Sequence, residues 1–221
     1  MKLIDCRRYC EFSGAEPVNC TLPADILGEI LGALRSGQLI VYPSDTIYCI
    51  GADIYDEQSV KKVFMAKNRP FDMPVSVCVP NPKVASEVGY IDRIARKLMD
   101  EFMPGPLIML VDKKEDVPDL LTAGTNTVGI RIPSHPLPLR IMEEFGPLTS
   151  ASANLHSKQS PVTVESCRKD LGSKISIYLD CGRTKYGVQS TIVDATGGSL
   201  KVVREGPIER SRIEEFLTKI A

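Results

Sequence analysis

The sequence lacks long hydrophobic runs, and this absence argues against a membrane protein. Its longest apolar runs, such as residues 107–111, are far shorter than the about 20 residues that a membrane-spanning helix needs. The first twelve residues carry charge but no apolar core of a secretion signal. We therefore expect a cytoplasmic protein with no membrane partner.

The sequence also lacks a strong net charge and an internal linker. A net charge of −1 gives no overall field that would hold a polyanion, so nucleic acid would have to bind at a local basic patch. With 43% hydrophobic and 25% charged residues, the composition is that of a globular protein. No linker divides the chain, and we predict a single domain over residues 1–221.

Metal-binding and nucleophilic signatures are missing as well. The seven cysteines are scattered and form no CxxC pair, which predicts reduced, mostly buried thiols rather than a disulfide framework or a zinc site. His135 and His156 lie in predicted loops without a GxSxG or HExxH motif, and we expect both to be exposed. The sequence predicts no metal ligands.

The common nucleotide-binding signatures do not occur either. Gly32 and Gly37 are spaced as in a P-loop, but Gln38 stands where the lysine would follow. No GxGxxG opens a predicted helix. These absences disfavour the common nucleotide-binding folds.

Short apolar segments alternate with amphipathic ones along the chain, which predicts an α/β fold. Asp56 is a predicted N-cap for a helix that ends before Arg69, and residues 91–102 and 209–220 have apolar residues at helical spacing. The predicted strands are residues 39–42, 46–54, 74–79, 107–111, 127–132, 148–153, 175–179, 190–194 and 200–204. This number of strands predicts one large mixed sheet with flanking helices.

Polar side chains stand out on two of these strands. Because side chains alternate along a strand, Ser150, Ser152 and Asn154 should share one face. The same alternation places Thr127 and Arg131 together, opposite a face of apolar residues that should point into the core. Both polar faces are candidates for a ligand site.

Four cationic side chains lie near predicted strand or helix ends, where ligands of open sheets usually bind. If these four converge, they form a pocket suited to phosphates and carboxylates through charge-assisted hydrogen bonds: Lys67, Arg69, Arg131 and Arg204. The alternative is four unrelated surface charges.

Six segments together resemble the YrdC-like threonylcarbamoyl-AMP synthase family. Its signature, Lys-x-Arg followed far downstream by Ser-x-Asn, is present as Lys67, Arg69, Ser152 and Asn154. The resemblance runs from about residue 25 to 208 and implies a twisted mixed sheet with flanking helices and a concave cationic cleft. The matching segments are PSDTIYCIG (43–51), KNRP (67–70), TVGIRIP (127–133), SASANLHSKQSP (150–161), GVQSTIVD (187–194) and VVREG (202–206).

The resemblance implies a nucleotidyltransferase that joins L-threonine, bicarbonate and ATP into threonylcarbamoyl-adenylate and releases pyrophosphate. Mg²⁺ would accompany ATP. The product would pass to a downstream tRNA threonylcarbamoyl-transferase complex for modification of tRNA, and weak binding of tRNA itself is a further implication.

The resemblance also assigns roles by motif position. Lys67 and Arg69 are implied as catalytic. The residues implied to contact threonine are Thr46, Arg131, Ser150 and Ser190. Those implied to contact the nucleotide are Arg69, Thr127, Ser152, Asn154, Ser160 and Arg204.

Three positions depart from the family pattern and bear on the choice of substrate. Cys49 stands where the family usually has glycine, Met73 where it often has asparagine, and Cys78 where histidine is common. Two alternatives stay open at this point: a related enzyme that forms a carbamoyl-adenylate, and a non-catalytic RNA-binding module of the same fold.

Overall fold

The computed structural model describes residues 1–14, 16–198 and 200–220, without the side chain of Ile220. The strands are β1 (Lys2–Asp5), β2 (Cys10–Ser13), β3 (Glu16–Cys20), β4 (Ile40–Pro43), β5 (Tyr48–Gly51), β6 (Val77–Cys78), β7 (Leu107–Asp112), β8 (Thr127–Arg131), β9 (Leu148–Thr149), β10 (Ala151–Ser152), β11 (Ile177–Asp180), β12 (Thr191–Asp194) and β13 (Lys201–Arg204). The helices are α1 (Ala24–Arg35), α2 (Glu57–Lys67), α3 (Pro82–Val88), α4 (Arg93–Phe102), α5 (Pro136–Phe145), α6 (Val164–Leu171) and α7 (Arg210–Ile220).

The strands form two mixed sheets, which corrects the prediction of one large sheet. The first sheet has the order β1-β11-β4-β5-β10, the second has the order β13-β12-β7-β8-β6-β9, and β2 and β3 form a separate hairpin. The predicted strand over residues 148–153 is divided at Ser150: β9 pairs with β6 of the second sheet, and β10 pairs with β5 of the first. The chain therefore passes from one sheet to the other at Ser150.

The three helices predicted from the sequence are present as α2, α4 and α7. Helix α2 begins after Asp56, whose carboxylate accepts a hydrogen bond from the backbone N–H of Gln58, and it ends at Lys67. The next residue, Asn68, has a left-handed backbone with φ of 52°, which closes the helix. Helix α4 buries most of the predicted apolar stripe, whereas Ile91 and Ile94 are partly buried. In α7, Ile213 is buried. Ile220 was also predicted to pack onto the sheet, but its side chain is not among the described ones.

The buried apolar side chains form two clusters. The larger cluster includes Val128 and Ile130 of β8, which confirms that this face of the strand points into the core. The smaller cluster packs α1 and α5 against the first sheet. The opposite face of β8 is therefore left to polar residues.

Two predictions about cysteine and histidine are wrong. Cys10 and Cys20 are joined by a disulfide, because β2 and β3 pair in a register that places these two residues opposite each other. The other five cysteines are free and buried, as predicted. His135 is buried rather than exposed, and its Nδ1 accepts a hydrogen bond from Leu137 N–H as the N-cap of α5. His156 is partly buried.

Within the described residues, no helix is both long enough and apolar enough to cross a membrane.

Candidate active site

Residues of both sheets line a cavity of about 550 Å³, which is within the usual size range of small-molecule sites. The predicted residues that line this cavity are Thr46, Arg69, Thr127, Arg131, Ser150, Ser152, Ser190 and Arg204. Three predicted residues reach the cavity only through neighbours: Lys67 and Asn154 contact Ser152 or each other, and Ser160 contacts Gln189. The structure thus brings most of the predicted set together.

Arg131 occupies one corner of the cavity, and its charge is buried, with 1% of the residue exposed. Its Nη1 donates to Thr46 Oγ1 at 2.6 Å and to Ser190 Oγ at 2.8 Å. Its Nη2 donates to Asp45 Oδ1 at 2.6 Å, and its Nε donates to the carbonyl of Gly105 at 3.0 Å. Burial is the largest single influence and lowers the pKa of Arg131, but the Asp45 carboxylate together with the neighbouring Cys78, Cys49 and Tyr42 raises that pKa by more, so it lies above its usual value.

Arg204 is anchored at the end of β13. Its Nε and Nη2 donate to the carbonyl of Ser190 at 3.0 and 2.9 Å, and its Nη1 donates to Gln189 Oε1. Gln189 Nε2 in turn donates to Ser160 Oγ at 2.7 Å. Burial lowers the pKa of Arg204. Sequence reasoning missed Gln189, which joins two of the predicted nucleotide contacts.

Arg69 lies on the loop that follows α2. Its Nε donates to the carbonyl of Met73 at 3.1 Å, and its Nη2 donates to the carbonyl of Pro74 at 2.9 Å. Burial lowers its pKa. Met73, which departs from the family pattern, therefore contacts Arg69 through its main-chain carbonyl. The Met73 side chain is exposed and lines the cavity.

Lys67 is buried at the last residue of α2, with 1% of the residue exposed. Its Nζ donates to Asn154 O at 2.9 Å, to Asn154 Oδ1 at 3.0 Å, to Ser152 Oγ at 3.2 Å, and to the carbonyl of Ser152. Burial and the charge of Arg69 lower the pKa of Lys67 to about 8. Three members of the family signature, Lys67, Ser152 and Asn154, thus form one hydrogen-bonded unit that joins α2 to the segment around β10.

Of the three polar residues predicted to share a face, Ser150 and Ser152 line the cavity and Asn154 does not, although Asn154 Oδ1 and Ser152 Oγ accept hydrogen bonds from the same Lys67 ammonium. Strand β10 ends at Ser152, so the alternation of side chains along a strand does not extend to Asn154. Both groups of the Asn154 amide are engaged within the protein: Oδ1 accepts from Lys67, and Nδ2 donates to the carbonyls of Lys158 and Gln159. In the structure Asn154 holds a loop in place.

Two of the departures from the family pattern meet at Ser150. Its Oγ lies 3.2 Å from Cys78 Sγ and 3.7 Å from Cys49 Sγ. Burial raises the pKa of both thiols, that of Cys49 to about 12. Because the thiolate is the nucleophilic form, neither cysteine is suited to covalent catalysis at neutral pH.

One wall of the cavity is apolar, and sequence reasoning did not assign it to the site. It is formed by alternate residues of neighbouring strands in the second sheet: Ile108, Leu110, Ile192 and Val203. The alternation of side chains along each strand indicates which residues share a face. It does not show which strands are neighbours, so it could not predict that these four residues form one wall.

Three of the four predicted cations, Arg69, Arg131 and Arg204, line the same cavity. The net sign of its potential stays a prediction, because Arg131 is paired with Asp45 and Asp194 also lies at the wall. The described residues contain no group of three or more His, Cys, Asp or Glu side chains that could hold a metal ion. The site is therefore equipped to bind anions by guanidinium and hydroxyl groups.

Comparison with known proteins identifies the family. A family model for Sua5, YciO and YrdC proteins, described as "Telomere recombination", matches residues 32–206. The chain therefore belongs to the Sua5/YciO/YrdC family. A relative from Mycobacterium tuberculosis (strain ATCC 25618 / H37Rv) is 38% identical over 188 residues, which cover 85% of this chain and 87% of the relative.

Two further comparisons involve Pyrococcus abyssi. Its threonylcarbamoyl-AMP synthase (strain GE5 / Orsay) is 34% identical over 191 residues, which cover 86% of this chain and 56% of that protein. The structure of P. abyssi Sua5 complexed with L-threonine has a TM-score of 0.86 and 32% identity, covering 90% of this chain and 59% of that chain. This chain thus spans little more than half of the P. abyssi proteins.

These likenesses confirm the predicted fold of the Sua5/YciO/YrdC family, with mixed sheets and flanking helices. The roles of individual site residues and the single domain over residues 1–221 stay predictions.

Proposed function

We propose that this chain is a threonylcarbamoyl-AMP synthase, a nucleotidyltransferase that forms threonylcarbamoyl-adenylate and pyrophosphate from L-threonine, bicarbonate and ATP. The names of its relatives and the threonine complex of P. abyssi Sua5 support this choice. The observation that carries it is the buried Arg131, held with two hydroxyl groups at one end of a cavity that Arg69 and Arg204 also line.

The corner at Arg131 suits the carboxylate of an amino acid. Thr46 Oγ1 and Ser190 Oγ both accept hydrogen bonds from Arg131 Nη1. Because a hydroxyl group that accepts a bond still has its own hydrogen to donate, Ser190 can donate to a bound carboxylate. The Thr46 hydroxyl lies 3.0 Å from Ser44 Oγ, which itself donates to the carbonyl of Ile47, so Thr46 would donate to a carboxylate in exchange for its bond to Ser44. Arg131 supplies the opposite charge, and burial of the corner strengthens this attraction. Ser150 lines the same cavity and is the fourth proposed contact to threonine.

The rest of the cavity suits the nucleotide. The main-chain bonds made by Nε and Nη2 of Arg69 fix its guanidinium and leave Nη1 to donate to a phosphate oxygen. Arg204 is fixed in a similar way through the carbonyl of Ser190. Thr127 and Ser152 add hydroxyl groups, and the apolar wall of Ile108, Leu110, Ile192 and Val203 suits the base.

Asn154 and Ser160 are proposed to support the nucleotide subsite through their neighbours. Asn154 fixes Lys67 and the loop that follows β10, and Ser160 fixes Gln189, which in turn holds Arg204. We assign Lys67 to catalysis through its charge. At neutral pH it is mostly protonated, because its pKa of about 8 is above 7, and its ammonium group lies directly behind Ser152.

The reaction needs no protein nucleophile. The threonine amine combines with bicarbonate to give a carbamate and water, and a carbamate oxygen then attacks the α-phosphorus of ATP. The bond from the α-phosphorus to the bridging oxygen breaks, and pyrophosphate leaves with the electron pair. Such a step depends on alignment of the reactants and on neutralisation of charge, which fixed cationic side chains provide.

We propose that Mg²⁺ enters with ATP rather than in a protein cage. Among the described residues that line the cavity, Asp194 is the one carboxylate, and its Oδ1 already accepts from Thr196 N–H and from Thr196 Oγ1. Mg²⁺ usually binds nucleotide phosphates, waters and one or two carboxylates, and this donor set fits that pattern. The product would be used in the cytoplasm by a tRNA threonylcarbamoyl-transferase complex, with at most weak contact between this chain and tRNA.

The proposal is tested by mass spectrometry of the purified protein incubated with ATP, Mg²⁺, bicarbonate and L-threonine, with each component omitted in turn. We expect threonylcarbamoyl-AMP only in the complete mixture, and loss of this product in Arg69→Ala but not in the exposed control Lys61→Ala. Binding of ATP without any adenylate product in the complete mixture would contradict the proposal.

A further inference from the structure

A second, smaller cavity lies beside Asp45, the partner of Arg131. It offers about 30 Å³ of space open to a water molecule, and Asp45, Ser134, His135 and Thr184 are among the residues that line it. About 10–15 Å³ of such space is enough for one water. This cavity is distinct from the large one, to which none of these four side chains contributes.

Two buried oxygen atoms at this cavity have no hydrogen-bond partner among the described residues: Asp45 Oδ2 and Thr184 Oγ1. Asp45 is 4% exposed and Thr184 is 8% exposed. The other carboxylate oxygen, Asp45 Oδ1, accepts from Arg131 Nη2 and from the backbone N–H of Ser134. Since buried polar atoms are almost always paired, two unpaired oxygens at one small cavity indicate a bound polar species.

The surrounding groups favour water over a cation. Arg131 already lies 2.6 Å from Oδ1 of the same carboxylate, and Arg183 also lines the cavity, so another positive charge is disfavoured. Lys185 and Glu16 line the cavity as well, but they form an ion pair with each other. His135 supplies a donor, because its Nδ1 accepts from Leu137 N–H and the ring hydrogen must then be on Nε2. Burial lowers the pKa of His135 to about 4, so the ring stays neutral at pH 7. A cation could not use such a donor.

We infer that one internal water molecule is bound between Asp45 Oδ2 and Thr184 Oγ1, and that it makes Thr184 a positioning residue for Arg131 and for the affinity for threonine. The water donates to Asp45 Oδ2, exchanges a hydrogen bond with the Thr184 hydroxyl, and accepts from His135. The Asp45 carboxylate is then held through both oxygens, which fixes the direction of Nη2 of Arg131. This inference rests on the proposed function, since it concerns the same threonine site.

The test compares Thr184→Val, which is nearly isosteric but lacks the hydroxyl group, with Thr184→Ser, which keeps it. Losing one hydrogen bond of ordinary strength in this network corresponds to a roughly 5- to 10-fold rise in KM for L-threonine. We expect this rise in Thr184→Val, an unchanged KM for ATP, and values within about twofold of the wild type in Thr184→Ser. Equal effects on both KM values, or no effect on either, would overturn the inference.

A crystal structure of the wild-type protein, at a resolution that shows ordered water, provides a second test that needs neither activity nor a variant. We expect a water peak within hydrogen-bond distance of both Asp45 Oδ2 and Thr184 Oγ1. In a separate binding measurement, we expect the affinity for threonine to stay the same when Na⁺ is exchanged for K⁺ or choline. An empty cavity, or an affinity that follows the cation, would refute the inference. If the wild type bound no threonine in calorimetry, the proposed function would fail, whereas the water peak would still test the site.

Discussion

Replacement of Lys67 by methionine tests how much the family signature contributes to the fold itself. The three hydrogens of the Lys67 ammonium are shared among four oxygen acceptors of Ser152 and Asn154. Hydrogen bonds to a charged group contribute about 2 kcal/mol each, or roughly 6 kcal/mol for three. Burial, together with the charge of Arg69, lowers the pKa of Lys67 from 10.5 to about 8, which indicates that holding the charge at this position costs roughly 3 kcal/mol. The net contribution is then about 3 kcal/mol.

We therefore expect Lys67→Met to lower the free energy of unfolding by about 3 kcal/mol, because methionine fills the space but leaves the acceptors unpaired. The assay is urea unfolding followed by circular dichroism, with the slope against urea concentration unchanged. Lys61→Met is the matched control on the same helix, since Lys61 is exposed, and it should change stability by less than about 0.5 kcal/mol. Equal losses in the two variants would refute this account of Lys67.

Three further predictions concern the cavity. Arg69→Ala should keep the fold but remove about 2–4 kcal/mol of transition-state stabilisation, measured as the fall in kcat/KM; near-normal turnover would contradict its catalytic role. Ser152→Ala should weaken binding of ATP more than of L-threonine in calorimetry, and the opposite order would mean that the two subsites are reversed. Cys49 and Cys78 should resist a thiol reagent at pH 8 until the protein unfolds, because burial raises the pKa of both thiols; rapid labelling of the folded protein would contradict their burial.

Local signals in the sequence predicted the parts of the fold that depend on neighbouring residues. Asp56 as an N-cap and the Arg69-Pro70 break fixed both ends of α2 to within about two residues. The alternation of polar and apolar side chains along β8 placed Arg131 on the face that lines the cavity. These elements could be predicted because the interactions that define them lie within a few residues of each other.

Other features depend on contacts that no local pattern encodes. The division into two sheets depends on Ser150, where a single residue separates strands that pair with different partners. The ion pair of Arg131 joins it to Asp45, which is 86 positions away in the sequence. The Cys10–Cys20 disulfide depends on the register of a hairpin that composition did not indicate.

The residues of the candidate site could be named from the sequence, but the sequence did not show which of them line the cavity and which lie behind the lining residues. The resemblance named Lys67, Asn154 and Ser160 together with the residues that line the cavity. The structure places these three behind Ser152 and Gln189, where they fix the residues of the wall. Which member of a motif touches a ligand and which supports it depends on side-chain packing, and spacing along the chain does not reveal it.

The most direct test of the proposed reaction uses bicarbonate labelled with ¹³C. The wild-type protein is incubated with ATP, Mg²⁺ and L-threonine, and the products are analysed by mass spectrometry against an Arg69→Ala control. The account predicts an adenylate that carries both threonine and the ¹³C label, together with one pyrophosphate for each adenylate formed. An adenylate that forms without the label, or release of pyrophosphate that does not depend on threonine, would contradict it.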